Sequence, residues 1–218
     1  VSVYEYRKRL GYQLAKETHI ESDLIVPVPD SGVPASIGYS EQIKKNIELG
    51  IIRNHYVGRT FIEPSQQIRS LGVKLKHSVN KTLIKNKSIT LIDDSLVRGT
   101  TSKKIIQMLF EFGAKEIHLR IASPPIKYPD YYGVDTPTKT ELIASMKNLE
   151  DMRKSINATT LKFLSIEGLY KSMGHEKRNS NYPQFTDHCF TGEYPVEPID
   201  AKEKEYKKKQ ITFLSSKN

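Results

Sequence analysis

The chain has 218 residues, 37% apolar and 27% charged, enough for one large domain or one domain with an appendage around a single core. Thirty-four basic residues against 25 acidic give a net charge of +9, which fits nucleic acid or an anionic small molecule as a partner. No apolar run reaches the ~20 residues of a membrane span, and the only cysteine, Cys189, excludes an internal disulfide and fits a reducing, cytoplasmic setting.

The first residues (VSVYEYRKRLGYQL) are charged and aromatic, unlike a signal peptide, and Val1 in place of Met fits a processed or cut-down form of a longer protein. Helical spacing of Tyr6, Leu10 and Leu14 predicts a helix over 3–17. DLIVPVP (23–29) is a short apolar run expected as a buried strand. VPASIGYSEQIKKNIELG then predicts a helix, with Pro34 early and Gly50 as its stop, and Ile51–Tyr56 a second strand. From Val57 to about Asn80 the pattern fails in a polar, basic stretch, long enough to be a functional lid or binding loop. A third strand is expected over Ser88–Ile92. A helix follows over Thr101–Phe112, its face formed by Ile105, Leu109 and Phe112 and its stop at Gly113. Ile117, Leu119 and Ile121 alternate as a fourth strand. The alternation of strand and helix from Asp23 to Ala122 argues for an α/β fold with a mainly parallel sheet flanked by helices. Beyond Ser123 the chain is turn-rich, then mostly helical to Gly174, and irregular from His175 to Pro198. The expected division is a domain over 1–178 and an irregular, basic segment over 179–218. The basic run AKEKEYKKKQ in that segment is a solvated helix or a frayed tail, so neither nucleic acid nor membrane is expected as a partner.

Two adjacent carboxylates, Asp93 and Asp94, stand at the end of the third strand in TLIDDSLVRGTTSKK. In an open parallel sheet, ligands bind outside the carboxyl ends of the strands. The turn Ser95–Thr101 leads into a helix N-terminus, whose free N–H groups and dipole favour a phosphate. Gly99 allows close backbone approach, and Thr100, Thr101 and Ser102 add hydroxyls. The carboxylates would repel a phosphate. They suit vicinal sugar hydroxyls, with Mg²⁺ nearby to ease their repulsion. A phosphorylated ribose satisfies both halves of the loop, whereas a helix-capping turn needs only one Asp. At the end of the first strand, Asp30, Ser31 and Gly32 form a turn able to hold a pyrophosphate on backbone N–H groups. Ser31 is within reach of a metal or its water, although Pro-Asp-Ser-Gly is also ordinary turn chemistry.

LIDDSLVRGTTS resembles the phosphoribosylpyrophosphate motif of the type I phosphoribosyltransferases. VPVPDSG, RNHYVGRTFIEPSQQIR, SPPIKYPDYYGVD, LKFLSIEGL and CFTGEYP, in this order, resemble the C-terminal half of the amidophosphoribosyltransferase family. The resemblance covers roughly 3–195. It implies a type I phosphoribosyltransferase fold with a C-terminal helical extension, and synthesis of 5-phosphoribosylamine from phosphoribosylpyrophosphate and ammonia, the first step of purine biosynthesis. It assigns Asp93 and Asp94 to the ribose hydroxyls and, with Ser31, to Mg²⁺. It assigns Ser95, Val97, Arg98, Gly99, Thr100, Thr101 and Ser102 to the substrate, with 97–102 cradling the 5′-phosphate. Asp30, Ser31 and Gly32 become the pyrophosphate turn. The lid spans 53–80, with Tyr56 and Arg59 near the reacting centre; Arg53 and His55 stand where the family often has Lys and Arg. The resemblance also implies purine nucleotides as feedback inhibitors and a homo-oligomer. The family's N-terminal glutaminase domain, with its catalytic cysteine, precedes the matched part, so glutamine hydrolysis is not expected of these residues.

Some relatives in the family carry an iron–sulfur cluster on cysteines, but one cysteine position is Asp130 here and only Cys189 remains. His188 beside Cys189 lacks further ligands for zinc, so Cys189 is expected as a packed thiol. His118 is expected as a surface or helix-covered residue. The competing classes are a phosphoribosylpyrophosphate-sensing DNA-binding regulator, a catalytically silent domain and a nucleobase phosphoribosyltransferase. The YVGRTFIEPSQQIR segment and the lack of a helix-turn-helix pattern disfavour the regulator, that segment and the C-terminal helical region disfavour the nucleobase enzyme, and the sequence leaves the silent domain open.

Overall fold

The computed structural model describes residues 2–54, 77–134, 136 and 138–196. Helix α1 (Val3–Thr18) starts where the Ser2 hydroxyl accepts the Glu5 N–H at 3.1 Å, and it buries Leu10, Leu14 and Ala15. Strand β1 (Leu24–Pro27) leads into α2 (Val33–Ile43). Strands β4 (Ser88–Asp93) and β5 (Glu116–Ile121) flank α4 (Thr100–Glu111). Between β1 and β4 lie β2 (Ile51–Arg53), β3 (His77–Val79) and α3 (Lys81–Ile84). After β5 come α5 (Ile143–Met146), α6 (Leu149–Ile156), β6 (Thr160–Phe163), α7 (Ile166–Ser172) and α8 (His188–Thr191).

The sheet is parallel throughout, in the order β1-β4-β5-β6, with Ile25 opposite Thr90, Leu91 opposite Leu119 and Leu119 opposite Leu161. Alternate side chains enter two cores. Val26, Leu91, Ile117, Leu119 and Leu161 pack with Ile105, Leu109, Met152 and Ile156 of α4 and α6. Ile25 and Ile92 pack with Leu10, Leu14, Ala35 and Tyr39 of α1 and α2. Helices therefore cover both faces, and all four strands point their carboxyl ends to one edge.

Three expectations are corrected. Helix α2 stops at Lys44, in a left-handed conformation, rather than at Gly50; the chain after it passes beside β1, where Ile47 bridges Ile25. β2 ends at Arg53 and pairs antiparallel with β3 in a separate ribbon, so it is not a strand of the main sheet. The region read as mostly helical contains β6, the fourth parallel strand. It is only four residues long, and only Leu161 of them is fully buried, which left too weak a period to see.

His118 takes the covered alternative. It is buried, within 3.2 Å of Ser88 Oγ and 3.1 Å of Thr160 Oγ1. Its neighbour on that face, Arg120, is also buried and donates to the Thr18 carbonyl at 2.8 Å and to Thr160 Oγ1 at 2.9 Å.

Candidate active site

Two turns meet at the carboxyl edge of β1 and β4. Val28 N–H donates to the Ile92 carbonyl at 2.8 Å, so the first turn begins as an extension of the ladder. Gly32 N–H then returns to the Val28 carbonyl at 2.9 Å. A Cβ on Gly32 would lie 2.3 Å from the Ile92 oxygen, so only glycine lets the turn close on β4. The peptide between Pro29 and Asp30 is cis. Asp30 is exposed and pairs with Arg53 at 2.5 Å.

Asp93 closes β4 as a residue only 7% exposed. Its Oδ1 accepts the Ser31 hydroxyl at 3.1 Å and the Asp94 N–H at 2.9 Å. Burial, reinforced by the Asp94 charge, pushes Asp93 up to about 7 against those two hydrogen bonds. Asp94 is half-buried and accepts the Ser95 hydroxyl at 3.0 Å. Ser31, Asp93, Asp94 and Ser95 therefore form one cluster of hard oxygen donors, the chemistry that suits Mg²⁺.

The second turn leads into α4. Gly99 adopts φ +76°, a left-handed conformation, and a Cβ there would meet Ile143 Cδ1 at 2.8 Å. The Val97 carbonyl accepts the Ile143 N–H at 2.9 Å, fixing the loop to α5. No side chain caps the first turn of α4, so its N–H groups are left for a ligand. Thr100 and Thr101 are exposed, whereas Ser102 is buried against the core side. Arg98 points outward and pairs with Glu141 at 3.2 Å.

A cavity of about 520 Å³ opens beside Ser31, Asp94 and Ser95, floored by Ala122 and Ser123 after β5. Tyr6 and Leu10 of α1 and Phe185 and Phe190 wall it. The second pair comes from the segment expected to be irregular, and sequence reasoning missed it. Asp187, 3% exposed, fixes that wall: it accepts Arg178 Nε at 2.6 Å and the Tyr170 hydroxyl at 2.8 Å. Its one sequence signal is an acid between aromatic residues in FTDHCF. Tyr56, Arg59 and His55 lie outside the described residues. One cysteine in the whole sequence does not fit an iron–sulfur cluster.

No protein-family model matches the chain. It is 56% identical over 200 residues to an amidophosphoribosyltransferase of Rhizobium etli, matching 91% of this chain and 40% of that protein. The Bacillus subtilis amidophosphoribosyltransferase is 49% identical over 197 residues, matching 90% of this chain and 41% of that one. Among solved structures, the glutamine phosphoribosylpyrophosphate amidotransferase from B. subtilis, complexed with ADP and GMP, matches with a TM-score of 0.80 at 49% identity, over 90% of this chain and 43% of that one. The chain thus spans about two-fifths of the length of the curated relatives it matches. Over nine-tenths of its own length it is homologous to the amidophosphoribosyltransferases, and it carries the α/β phosphoribosyltransferase fold of that family.

Proposed function

We propose that the chain transfers a phosphoribosyl group from phosphoribosylpyrophosphate to ammonia, giving 5-phosphoribosylamine and pyrophosphate in the first step of purine biosynthesis. The observation that carries the reading is the meeting of two turns on one sheet edge, joined by the Ser31–Asp93 hydrogen bond at 3.1 Å. Nitrogen forms the bond to the anomeric carbon, the carbon–oxygen bond to pyrophosphate breaks with its electron pair, and the nitrogen sheds a proton. The transition state is oxocarbenium-like, so the protein's task is to position the parts, neutralise charge and exclude water.

Asp93 and Asp94 hold the ribose hydroxyls, since ionised carboxylates are acceptors only. The backbone from Val97 to Ser102 holds the 5′-phosphate, and the exposed hydroxyls of Thr100 and Thr101 donate to it. Asp30, Ser31 and Gly32 hold the pyrophosphate, and Arg53 balances the Asp30 charge beside it. Asp93, Asp94 and Ser31 would hold Mg²⁺, which would supply positive charge against the pyrophosphate. Tyr56 and Arg59 approach the reacting centre from the lid. Ammonia comes from a glutaminase part of the complete enzyme or from solution. Purine nucleotides bind as feedback inhibitors, consistent with the ADP and GMP on the B. subtilis relative. The enzyme acts in the cytoplasm as a homo-oligomer; among the described residues no helix is long and apolar enough to cross a membrane.

The test is ammonium-dependent pyrophosphate release from phosphoribosylpyrophosphate with Mg²⁺ at mildly alkaline pH. Release that Asp93→Asn and Asp94→Asn abolish is expected. Substrate binding without release points to a silent domain or a sensor, and absence of both overturns the site.

A further inference from the structure

On helix α8, whose Phe190 walls that cavity, the adjacent residues His188 and Cys189 meet Asp130, 58 residues earlier in the chain. The Asp130 and His188 side chains are 8% and 5% exposed, with Oδ2 and Nε2 2.7 Å apart. Cys189 Sγ lies 3.9 Å from the same carboxylate oxygen, and the three donor atoms all fall within 4.8 Å of one another. We propose that Asp130, His188 and Cys189 form a mononuclear site for a borderline divalent metal of the zinc class, stapling the turn after β5 to the C-terminal segment.

The surroundings are built for such a site. Asp130 Oδ1 accepts the Tyr132 N–H at 2.7 Å and the Val134 N–H at 3.0 Å, which aims Oδ2 at His188 and Cys189. Outer hydrogen bonds of this kind orient metal ligands. The rings of Tyr132 and Tyr194 each stand 5.0 Å from the His188 ring and screen it from water. His188 Nε2, which faces Asp130 Oδ2, is the ring nitrogen placed to ligate a metal, while Nδ1 points away from the carboxylate and is buried without a partner.

One sulfur, one nitrogen and one oxygen, with water in the fourth position, is a zinc-type donor set. A thiolate and a carboxylate cancel the charge of a divalent ion beside a neutral imidazole, so the filled site is neutral where burial penalises charge. Tetrahedral zinc holds its donor atoms about 3.5 Å apart, so the His188–Asp130 hydrogen bond opens by less than about 1 Å to admit it. Burial and the Asp130 charge push the Cys189 thiol up to about 11, so metal entry releases the thiol proton to solvent. The turn and the segment already share backbone contacts, since Lys127 N–H and Tyr128 N–H both donate to the Cys189 carbonyl, at 2.9 and 3.0 Å.

The test uses the full chain, stripped with a chelator and titrated with Co²⁺ and then Zn²⁺. Expected are one Co²⁺ per chain, a thiolate-to-cobalt charge-transfer band in the near ultraviolet, and displacement by Zn²⁺. Because Cys189 is the only thiol in the sequence, a thiol reagent reads this site alone. Free Zn²⁺ at ten times its dissociation constant should slow that reaction about tenfold. Cys189→Ser should abolish the band and Asp130→Asn should weaken it. A wild-type chain with no thiolate band, or with thiol reactivity indifferent to zinc, overturns the proposal whether or not the variants fold. Cobalt binding unchanged in Cys189→Ser overturns it as well.

Discussion

Asp93→Asn tests the electrostatics of the β4 end most directly. The carboxyl is nearly enclosed, and burial together with Asp94 raises it from 3.8 to about 7. A difference of that size corresponds to about 4 kcal/mol. Between the two values the folded chain keeps a proton that the unfolded chain has lost. Stability therefore falls as pH rises from about 4 to about 7, and the whole loss is present at pH 8. Asparagine is close to an isostere of the protonated acid: its Oδ1 can still accept from Ser31 and from Asp94 N–H. The variant should be more stable than the parent at pH 8, by up to about 4 kcal/mol. The two should converge below about pH 4. Urea denaturation at a series of pH values, with chelator present, measures this. A variant less stable at pH 8 would show that Asp93 is held ionised by its neighbours, and the electrostatic argument would fall.

Gly32→Ala would drive a Cβ to 2.3 Å from the Ile92 carbonyl oxygen. A loss of about 1–3 kcal/mol is expected, seen as a lowered Tm, with a larger fractional loss of phosphoribosylpyrophosphate affinity by calorimetry because the turn is levered away from Asp93. Arg178→Ala strips the bidentate partner from buried Asp187, leaving Tyr170 and Thr191. A cost of about 3–5 kcal/mol is expected from chemical denaturation, and Arg178→Lys should recover only part of it.

The parallel sheet was legible because β1 and β4 are short, largely apolar runs, β5 alternates Ile117, Leu119 and Ile121, and the helix between β4 and β5 has a clean stop. Gly113 takes φ +92° after α4, as the sequence led one to expect. The close packing of α1 and α2 was not legible. Gly11 and Gly38 look like weak helix positions, yet a Cβ on either would lie 1.8 Å from a carbonyl oxygen of the other helix. A contact set by two backbones leaves no hydrophobic period to read. The carboxylate pair and its loop were legible, because strand end, acids and small residues are consecutive. The cavity wall was not. Asp187 joins Arg178 and Tyr170 by tertiary packing alone, and Asp130 meets His188 across a separation of 58 residues. Local pattern carries no information at that range.

On the proposed reading, the site divides into a fixed floor and an exchangeable rim. Asp93 is buried, hydrogen-bonded from both turns and set by the β4 register, so it cannot move without the sheet. The two cations at the loops are held differently. Arg53 rests on Asp30 and Arg98 on Glu141, and all four side chains are about half exposed. Ion pairs so exposed contribute about 0–1 kcal/mol, so exchanging a carboxylate for a phosphate oxygen costs little. A phosphate with two negative charges beside an uncapped helix N-terminus competes well for Arg98. The carboxylates on the rim thus keep the empty loops near neutrality and yield their arginines when a phosphate arrives. The carboxylates on the floor stay in place, and the fold bears the cost of holding them together.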